Sequence, residues 1–313
     1  MPRNGPPEQP NAEIGYSRVD VQPDTALLIK GMEATAQWPA VRQLRAWERT
    51  RLALQAGERL LDVGCGFGDV AIALAADATP TGSVIAIDAS EAMLRVGRQR
   101  AAEAAASVDF RIGDAEALPL PDGSVDACRC ERALQWVPNA DRALAEMLRV
   151  LRPGGRLSVI ETDWRSLLFD LPDRAATDAV GRAFWALRGP AFDLGGRILN
   201  LARELGLEAI DVTGAVHVWT RWNPDTEVAP SGMFPIRTIV DQLVELDYLA
   251  ADMAERFVVS VEDAARRDRL CISLCMLAVS GLRSPVTGRA EPSFRSAQIT
   301  TSPAFWSSAA GRH

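Results

Sequence analysis

Short apolar runs alternate with longer amphipathic segments along the first half of the chain. The apolar runs predict buried β-strands at residues 60–63, 83–88, 108–112, 124–130 and 156–160. Apolar residues at helical spacing predict α-helices between these strands, at residues 70–75, 90–106 and 141–151. Strands and helices that alternate in this way form a parallel sheet covered by helices, so the pattern predicts an α/β fold.

The pattern continues on both sides of this alternating region. Two helices are predicted before the first strand, one carrying Leu27, Leu28 and Met32 and one at residues 41–55. The second half of the chain is predicted to contain helices at 170–192, 198–205 and 236–257 and strands at 208–218 and 270–282. The last long helix lies between the last two strands, where it would interrupt a hairpin.

One domain is expected over residues 16–283, with cap segments at about 165–195 and 219–258. Residues 1–15 are rich in proline, and residues 284–313 are polar and lack periodicity. Neither stretch offers a regular apolar face to bury, so both are predicted to be flexible.

Composition limits the partners of the protein. The chain has 313 residues, of which 48% are hydrophobic and 24% charged, as in ordinary globular proteins. Its net charge is −7 and its pI is about 5.1, so we expect no nucleic-acid partner. No apolar leader or membrane-spanning run is present, and we expect a cytoplasmic protein without stable membrane insertion. A homodimer is left open.

The five cysteines do not predict a metal site. They are Cys65, Cys128, Cys130, Cys271 and Cys275, and no spacing among them matches a zinc ribbon. Cys128 and Cys130 would share one face of a strand, where they act as small apolar side chains rather than as a disulfide. A reduced protein without bound metal is therefore expected.

A glycine-rich turn joins the first strand to the following helix. Gly64, Gly66 and Gly68 alternate after the strand, and Asp62 lies two residues before the first of them. Such a turn brings backbone N–H groups and a helix N-terminus toward one ligand. Its spacing differs from G-x-G-x-x-G, the dinucleotide fingerprint, in which the third glycine follows the second by three residues.

The stretch Leu61-Asp62-Val63-Gly64-Cys65-Gly66 resembles motif I of the class I S-adenosylmethionine (SAM) methyltransferases. The string from Gly113 to Pro121 is similar to the adenine-binding loop of that superfamily. The turn Leu151 to Leu157, L-R-P-G-G-R-L, resembles the ubiquinone/menaquinone C-methyltransferase-like branch. The resemblance implies a doubly wound, Rossmann-like α/β fold with a seven-stranded, mostly parallel sheet and an antiparallel last strand, preceded by helices and covered by a cap.

Two acids follow the glycine turn at positions that suit a nucleoside. Asp88 ends a strand about twenty residues beyond the glycines, where a carboxylate can accept hydrogen bonds from ribose hydroxyls. The alternative is that Asp88 only caps the next helix. By resemblance Asp114 meets the adenine amino group and the Ala115 backbone faces the ring, although Asp114 could be only a turn residue.

The cofactor implied by the resemblance is S-adenosyl-L-methionine. The residues expected to bind it are Asp62, Gly64, Cys65, Gly66, Gly68, Asp88, Ala89, Met93, Asp114, Ala115, Glu116, Cys130 and Gln135.

One position departs from the resembled branch. That branch commonly carries a histidine where this chain has Trp136, and the only histidines are His217 and His313. A histidine base at the usual place is therefore excluded. Trp136 is either a flat apolar wall for an aromatic acceptor or core filling. His217 is interpreted as a strand histidine rather than a base.

Candidates for the acceptor side follow the strand ends and the cap. Glu131 and Asp163 are the candidate catalytic bases, with Glu161 as a further one. The predicted acceptor pocket consists of Tyr16, Trp136, Trp164, Arg197 and Tyr248, of which Tyr248 is also a candidate base. Arg18 is considered together with Tyr16, and both could equally be surface residues.

The sequence predicts a SAM-dependent methyltransferase that acts on carbon or oxygen of a small, largely apolar or aromatic metabolite. A quinone-like or secondary-metabolite acceptor is expected. The alternatives are an enzyme of the same fold that binds SAM but catalyses a cyclisation or rearrangement, a regulatory SAM-binding module, and, more remotely, an NAD-dependent oxidoreductase.

Overall fold

The structure is a computed structural model that describes residues 16, 19–21, 25–79, 81–188 and 193–285. Flexible ends were predicted at 1–15 and 284–313; apart from residues 284 and 285, they lie outside the described residues, as does Arg18.

The described strands form one seven-stranded sheet in the order β3-β2-β1-β4-β5-β7-β6. They are β1 (Arg59–Val63), β2 (Ser83–Asp88), β3 (Val108–Ile112), β4 (Val125–Glu131), β5 (Leu151–Phe169), β6 (Leu207–Trp219) and β7 (Ile272–Arg283). Strands β1 to β5 pair in parallel, and β7 is antiparallel to both β5 and β6. The predicted doubly wound α/β fold with an antiparallel last strand is confirmed.

Helices precede, connect and cap the strands. They are α1 (Thr25–Ala36), α2 (Pro39–Leu52), α3 (Asp69–Ala78), α4 (Glu91–Glu103), α5 (Ala140–Val150), α6 (Arg174–Arg188), α7 (Leu194–Glu204), α8 (Ile236–Glu245) and α9 (Ala251–Arg266). Short 3₁₀ helices span Val19–Val21 and Leu134–Trp136.

Two predicted elements differ from the structure. The single helix expected at 236–257 is two helices, α8 and α9, because Asp247 adopts a left-handed φ of 62° between them. The Tyr248 and Leu249 N–H groups then both donate to the Leu243 carbonyl, which closes the turn. Strand β5 is also longer than the predicted 156–160, because Leu151 already pairs with Val125 of β4.

Apolar side chains fill both faces of the sheet. On one face, α2, α6, α8 and α9 pack against β7 through residues such as Leu44, Phe257 and Ile272, which are 0–1% exposed. On the other face, α5 and α7 bury Leu144 and Ile198 against β5. The central strands β1, β2 and β4 are buried over most of their length.

The strand order reverses between β1 and β4. The chain proceeds outward from β1 through β2 to β3 and then returns to the other side of β1 at β4. In an open α/β sheet, connections leave such neighbouring strands in opposite directions, which opens a crevice at their carboxyl ends. The glycine turn follows β1 at this point.

Candidate cofactor and acceptor site

A cavity of about 730 Å³ opens at the carboxyl ends of the central strands. Its inner end is bounded by the residues that follow β1, β2, β3 and β4. Its outer end is bounded by the second half of β5, by α6 and by the cap loop at Gly232, Met233 and Phe234. A volume of this size lies within the range of small-molecule sites in proteins.

The glycine turn requires glycine for its own conformation and packing. Gly64, Gly66 and Gly68 have φ values of 67°, 54° and 70°, in the left-handed region that side chains disfavour. A Cβ at Gly64 would lie 2.2 Å from the Ala133 Cβ, and one at Gly66 would lie 2.4 Å from the Met32 Cε. At both positions, protein side chains occupy the space that an added Cβ would need.

Asp88 joins the glycine turn to the end of β2. One of its carboxylate oxygens accepts from the Gly66 N–H at 2.8 Å, and the other accepts from the Ser90 N–H at 2.9 Å. Burial raises the pKa of this carboxyl. Each oxygen can accept a further hydrogen bond, so the carboxylate at the cavity wall fits a diol such as ribose.

Residues other than Asp88 cap the N-terminus of α4. Ser90 is the N-cap of α4, and its hydroxyl accepts from the Met93 N–H at 3.1 Å. Asp20, which the sequence analysis missed, accepts from the Ser90 hydroxyl and from the Glu91 N–H at 3.0 Å. The Asp88 carboxylate is therefore not needed to cap the helix.

Asp114 lies on the cavity wall and also forms a turn. Its carboxylate accepts from the Glu116 N–H at 2.8 Å, while the neighbouring Ala115 lines the cavity. Glu116 turns away, because its carboxylate accepts from the Asn139 N–H at 2.9 Å. Asp114 is therefore both a turn residue and part of the cavity wall.

Most of the predicted cofactor residues come together at the cavity. The residues that line it are Gly64, Gly66, Asp88, Ala89, Met93, Asp114, Ala115, Cys130 and Gln135. The four predicted residues that do not line it are Asp62, Cys65, Gly68 and Glu116. The cavity-lining set combines backbone N–H groups with two carboxylates, and this fits a nucleoside that carries hydroxyl and amino donors.

Asp62 lies beneath the glycine turn, in contact with a buried arginine. It is 1% exposed, and its carboxylate accepts from the Arg129 Nη1 at 2.7 Å. Arg129 also donates from Nε to Glu48 of α2 at 2.8 Å. Asp62 was predicted to contact the cofactor. In the structure it does not line the cavity, and its carboxylate binds Arg129 beneath the turn.

Glu131 lines the cavity, but arginines hold its carboxylate. Arg45 donates to it from Nε and Nη2 at 2.8 and 2.9 Å, and Arg129 donates from Nη2 at 2.9 Å. Burial alone would raise the pKa of Glu131, but Arg45, Arg132 and Arg129 outweigh it and lower the pKa to about 2. Such a carboxylate is a poor proton acceptor, so the structure speaks against Glu131 as a general base.

The other two carboxylate candidates lie outside the cavity lining. Asp163 accepts from the Arg165 N–H at 3.2 Å, and its backbone packs against Gly195 of α7, where a Cβ would lie 2.6 Å away. Glu161 is fully buried and accepts from the Leu134 N–H at 2.9 Å. Burial raises the pKa of Glu161 to about 8. The structure does not support the predicted base role of Asp163, because this residue is not among those that line the cavity.

Aromatic rings in mutual contact form the outer wall of the cavity. The Tyr16 ring lies 5.7 Å from Trp136 and 6.0 Å from Phe234. The Trp164 ring lies 6.5 Å from Phe234 and 6.0 Å from Phe184. Of the two interpretations of Trp136, the structure favours the cavity wall over core filling, because its half-buried ring lines the cavity. Phe184 and Phe234 were missed, since single phenylalanines carry no sequence signal for a site.

Gln135 fixes the inner edge of this aromatic wall. Its side-chain amide donates to the Arg132 carbonyl at 3.1 Å and accepts from the Trp164 indole N–H. Both halves of the amide are therefore used, which orients Trp164 toward the cavity.

Two residues predicted for the acceptor pocket lie elsewhere. Arg197 is on α7, where its Nη2 lies 3.6 Å from an oxygen of Asp141. Tyr248 is in the turn between α8 and α9 and is 37% exposed. Neither lines the cavity. Both predictions are corrected: the sequence placed these residues near the cap, but only the packing of the helices decides which side chains face inward.

A pair of tryptophans holds the cap loop that carries Phe234. The indole N–H groups of Trp38 and Trp219 donate to the same carbonyl, that of Ser231, at 3.1 and 3.0 Å. The His217 ring stacks on Trp38 with centroids 4.2 Å apart, and burial lowers the pKa of His217 to about 4. His217 does not line the cavity. This position fits a packed strand histidine.

Among the described residues, no helix combines the length and apolar character needed to cross a bilayer.

Comparison with known proteins agrees with the fold and with the motif positions. The family described as "Methyltransferase domain" matches residues 61–159. A ubiquinone/menaquinone biosynthesis C-methyltransferase UbiE from Pseudomonas entomophila is 34% identical over 207 residues, which cover 60% of this chain and 77% of that protein. An uncharacterized 37.1 kDa protein in transposon TN4556 of Streptomyces fradiae is 42% identical over 151 residues, or 48% of this chain. This chain spans less than half of that relative, 44% of its length.

The solved structures support the fold. The YcgJ protein from Bacillus subtilis aligns with a TM-score of 0.52 at 20% identity, covering 78% of this chain and 99% of that one. Identity this low shows a shared fold only. The UbiE match shows the family, because it is 34% identical and covers 77% of that protein. The family match over residues 61–159 includes the glycine turn and Asp88. The chain therefore belongs to the class I S-adenosylmethionine-dependent methyltransferases, in the family that includes UbiE, and S-adenosylmethionine is its cofactor.

Proposed function

We propose that this protein transfers a methyl group from S-adenosylmethionine to a carbon or oxygen atom of a small, largely apolar or aromatic molecule. The observation that carries the proposal is the continuity of one cavity. Its inner end holds Gly64, Gly66 and Asp88, and its outer end holds Trp136, Trp164 and Phe234. A donor and an acceptor could therefore lie in contact within a single cavity.

S-adenosylmethionine supplies a methyl group on a sulfonium, which is already a strong electrophile. The remaining requirements are alignment of the acceptor and exclusion of water. The carboxylates of Asp88 and Asp114 would orient the nucleoside at the inner end. The aromatic wall would orient a flat acceptor and keep water out, since ring faces and edges bind apolar surface without offering strong hydrogen bonds.

None of the carboxylates predicted as bases is suited to that role, and this limits which acceptors the site can use. The Glu131 carboxylate accepts hydrogen bonds from Arg45 and Arg129, and Asp163 does not line the cavity. An acceptor that is readily ionised, such as a phenol, an enol or an activated carbon acid, suits this site better than an alcohol or an unactivated carbon.

The cofactor half of the proposal can be tested by calorimetric titration. Wild-type protein is titrated with SAM, with its demethylated product S-adenosylhomocysteine and with NADH. We expect both sulfur nucleotides to bind and NADH not to bind. Asp88→Ala should lower the affinity for both sulfur nucleotides by about tenfold to a hundredfold, because hydrogen bonds to a charged group are lost. Asp109→Ala is the matched control, because Asp109 is an exposed acid on β3 that pairs with Arg111.

The transfer half can be tested by product mass. Wild-type protein is incubated with SAM and a panel of small phenols and hydroquinones. A mass increase of one methyl group, with S-adenosylhomocysteine formed in equal amount, supports methyl transfer. A changed product without added mass would instead indicate rearrangement, and NADH binding without SAM binding would contradict the proposal.

A further inference from the structure

Arg132 occupies the junction between the two halves of the cavity. It directly follows β4, and the next residue, Ala133, is the one that packs against Gly64 of the glycine turn. The Arg132 side chain lines the same cavity as Gly64 and Tyr16, and it is 19% exposed. The sequence analysis did not single out this residue.

The backbone of Arg132 is held in an unfavourable conformation. Its φ is 54°, in the left-handed region that a residue with a side chain seldom adopts. Its N–H donates to the Ile160 carbonyl at 2.7 Å, and its own carbonyl accepts from the Gln135 side chain at 3.1 Å. Strain of this kind persists only where surrounding contacts enforce it, and it concentrates at ligand sites.

The charge of Arg132 is only partly matched within the described residues. Its Nε lies 3.3 Å from a Glu131 oxygen, but the geometry is not that of a hydrogen bond, and this buried nitrogen has no acceptor in the described part of the chain. Glu131 already receives three N–H groups, two from Arg45 and one from Arg129. One carboxylate thus faces three guanidinium groups.

The other two arginines have further acids that Arg132 lacks. Arg45 also donates to Asp69 at 2.7 Å, and Arg129 also donates to Glu48 and Asp62. Of these three arginines, Arg132 is thus the one that lines the cavity and has no second acidic partner in the described part of the chain. Its neighbour there is the Tyr16 phenol, whose pKa burial raises to about 12 while Arg132 acts in the opposite direction.

We propose that Arg132 binds an anionic oxygen inside the cavity. An anion would contact the exposed part of the Arg132 side chain and would supply the second acidic partner that Arg45 and Arg129 have, in the charge-assisted hydrogen bonds for which arginine is suited. The inference rests on the proposed function, because that function defines the molecules that enter the cavity.

Two molecules could bring this anion. The amino-acid end of the cofactor carries a carboxylate, and Arg132 precedes Ala133, which lies against Gly64 of the glycine turn. The acceptor could instead carry a carboxylate or an ionised phenol or enol at the aromatic wall. In that case, Arg132 would stabilise the ionised acceptor, which would reduce the need for a general base.

The first arm of the test compares two cofactor fragments by calorimetry. S-adenosylhomocysteine carries the amino-acid carboxylate, whereas 5′-methylthioadenosine has the same nucleoside and sulfur without it. If Arg132 binds the cofactor, Arg132→Gln should lower the affinity for S-adenosylhomocysteine by about tenfold to a hundredfold and leave the affinity for 5′-methylthioadenosine unchanged. Arg132→Lys should recover part of the loss, because it restores the charge but not the planar fork.

The second arm uses acceptor-sized probes in the presence of saturating S-adenosylhomocysteine. Quenching of tryptophan fluorescence reports binding of 2-naphthoate and of the neutral 2-naphthylmethanol. If Arg132 binds the acceptor, the wild type should bind the naphthoate more tightly than the alcohol. Arg132→Gln should remove this difference without lowering the affinity for the alcohol. Arg197→Gln is the matched control, since it removes the same charge outside the cavity.

The outcomes separate the two proposals. If the wild type binds neither nucleoside, the proposed function fails, whatever Arg132 does. The anion site is overturned if both nucleosides bind, Arg132→Gln leaves their affinity ratio unchanged, and the naphthoate is either not preferred by the wild type or still preferred by Arg132→Gln. Thermal unfolding midpoints of all variants identify any loss that comes from misfolding.

Discussion

Asp62 and Arg129 face each other on neighbouring parallel strands, in register, with their side chains joined 2.7 Å apart beneath the glycine turn. Arg129 is 2% exposed and lies between Cys128 and Cys130 in the buried part of β4. Its remaining N–H groups reach Glu48 of α2 and Glu131 at the end of β4. One buried guanidinium thus ties the strand before the turn to the helix packed over it.

Removal of one partner from this buried cluster should be strongly destabilising. Asp62→Ala leaves the Arg129 charge without one of its acceptors, and breaking a buried ion pair in this way costs about 3–5 kcal/mol. Urea unfolding at neutral pH measures the loss. The control is Asp211→Ala, which removes a half-exposed surface ion pair with Arg51 and should cost no more than about 1 kcal/mol. Equal losses for the two variants would contradict a supporting role for Asp62.

The buried Glu161 carboxyl should make stability fall as pH rises. Burial raises its pKa from 4.5 to about 8 in the folded protein. The folded state therefore holds this proton more tightly than the unfolded chain, so the resulting stabilisation is full below about pH 4.5 and is lost as the pH rises through about 8. Glu161→Gln mimics the protonated form and should match the wild type near pH 5 but exceed it near pH 9.

Chemical unfolding of both proteins across this pH range tests the sign. Glu255→Gln on the exposed side of α9 serves as the control, because it removes a carboxylate with little burial. A difference between wild type and Glu161→Gln that does not change with pH would argue that Glu161 is not neutral in the fold.

The glycine turn should need glycine even without cofactor. Gly64→Ala places a Cβ 2.2 Å from the Ala133 Cβ at a φ of 67°. The left-handed conformation alone costs about 1–2 kcal/mol, and the clash adds to it. We therefore expect ligand-free Gly64→Ala to unfold at lower urea than the wild type.

Gly196→Ala is the matched control for this substitution. Gly196 lies within α7, and an added Cβ would meet nothing within 4 Å. Alanine in a helix interior stabilises by roughly 0.5–1 kcal/mol relative to glycine, so this variant should be neutral or more stable. If the apo stability of Gly64→Ala equalled that of Gly196→Ala, the requirement for glycine would come from the ligand alone.

The shared Ser231 carbonyl should hold the cap loop in place. Trp219→Phe removes one of its two indole donors at a cost of about 1 kcal/mol and keeps an aromatic ring at the site. We expect faster amide hydrogen exchange at residues 232–234 and weaker binding of aromatic probes, with S-adenosylhomocysteine affinity nearly unchanged. Trp222→Phe removes a comparable indole bond, to the Glu227 carbonyl, in the same loop. An identical exchange pattern in the two variants would show that the shared carbonyl has no special role.

Local sequence was sufficient for the nucleotide half of the site. Strands β2 and β3 have the predicted bounds, and Gly64, Gly66, Asp88 and Asp114 line the inner end of the cavity. The physical reason is that a strand, a tight turn and a helix start are specified by neighbouring residues. The cavity at the carboxyl ends of the strands then follows from the parallel sheet.

The acceptor half and the electrostatics depended on the tertiary structure. Arg129 lies 67 residues from Asp62 and 81 from Glu48 along the chain, so no local pattern reveals that these charges meet. Arg197 and Tyr248 were expected in the pocket, while Arg132, Phe184 and Phe234 line it instead. The sequence by itself determined the α/β order and the cofactor turn, because these depend on near neighbours. Only the packing of α2, α6 and the cap loop decided which side chains face the acceptor and which carboxylates are neutralised by arginine, because those contacts form between segments far apart in the chain.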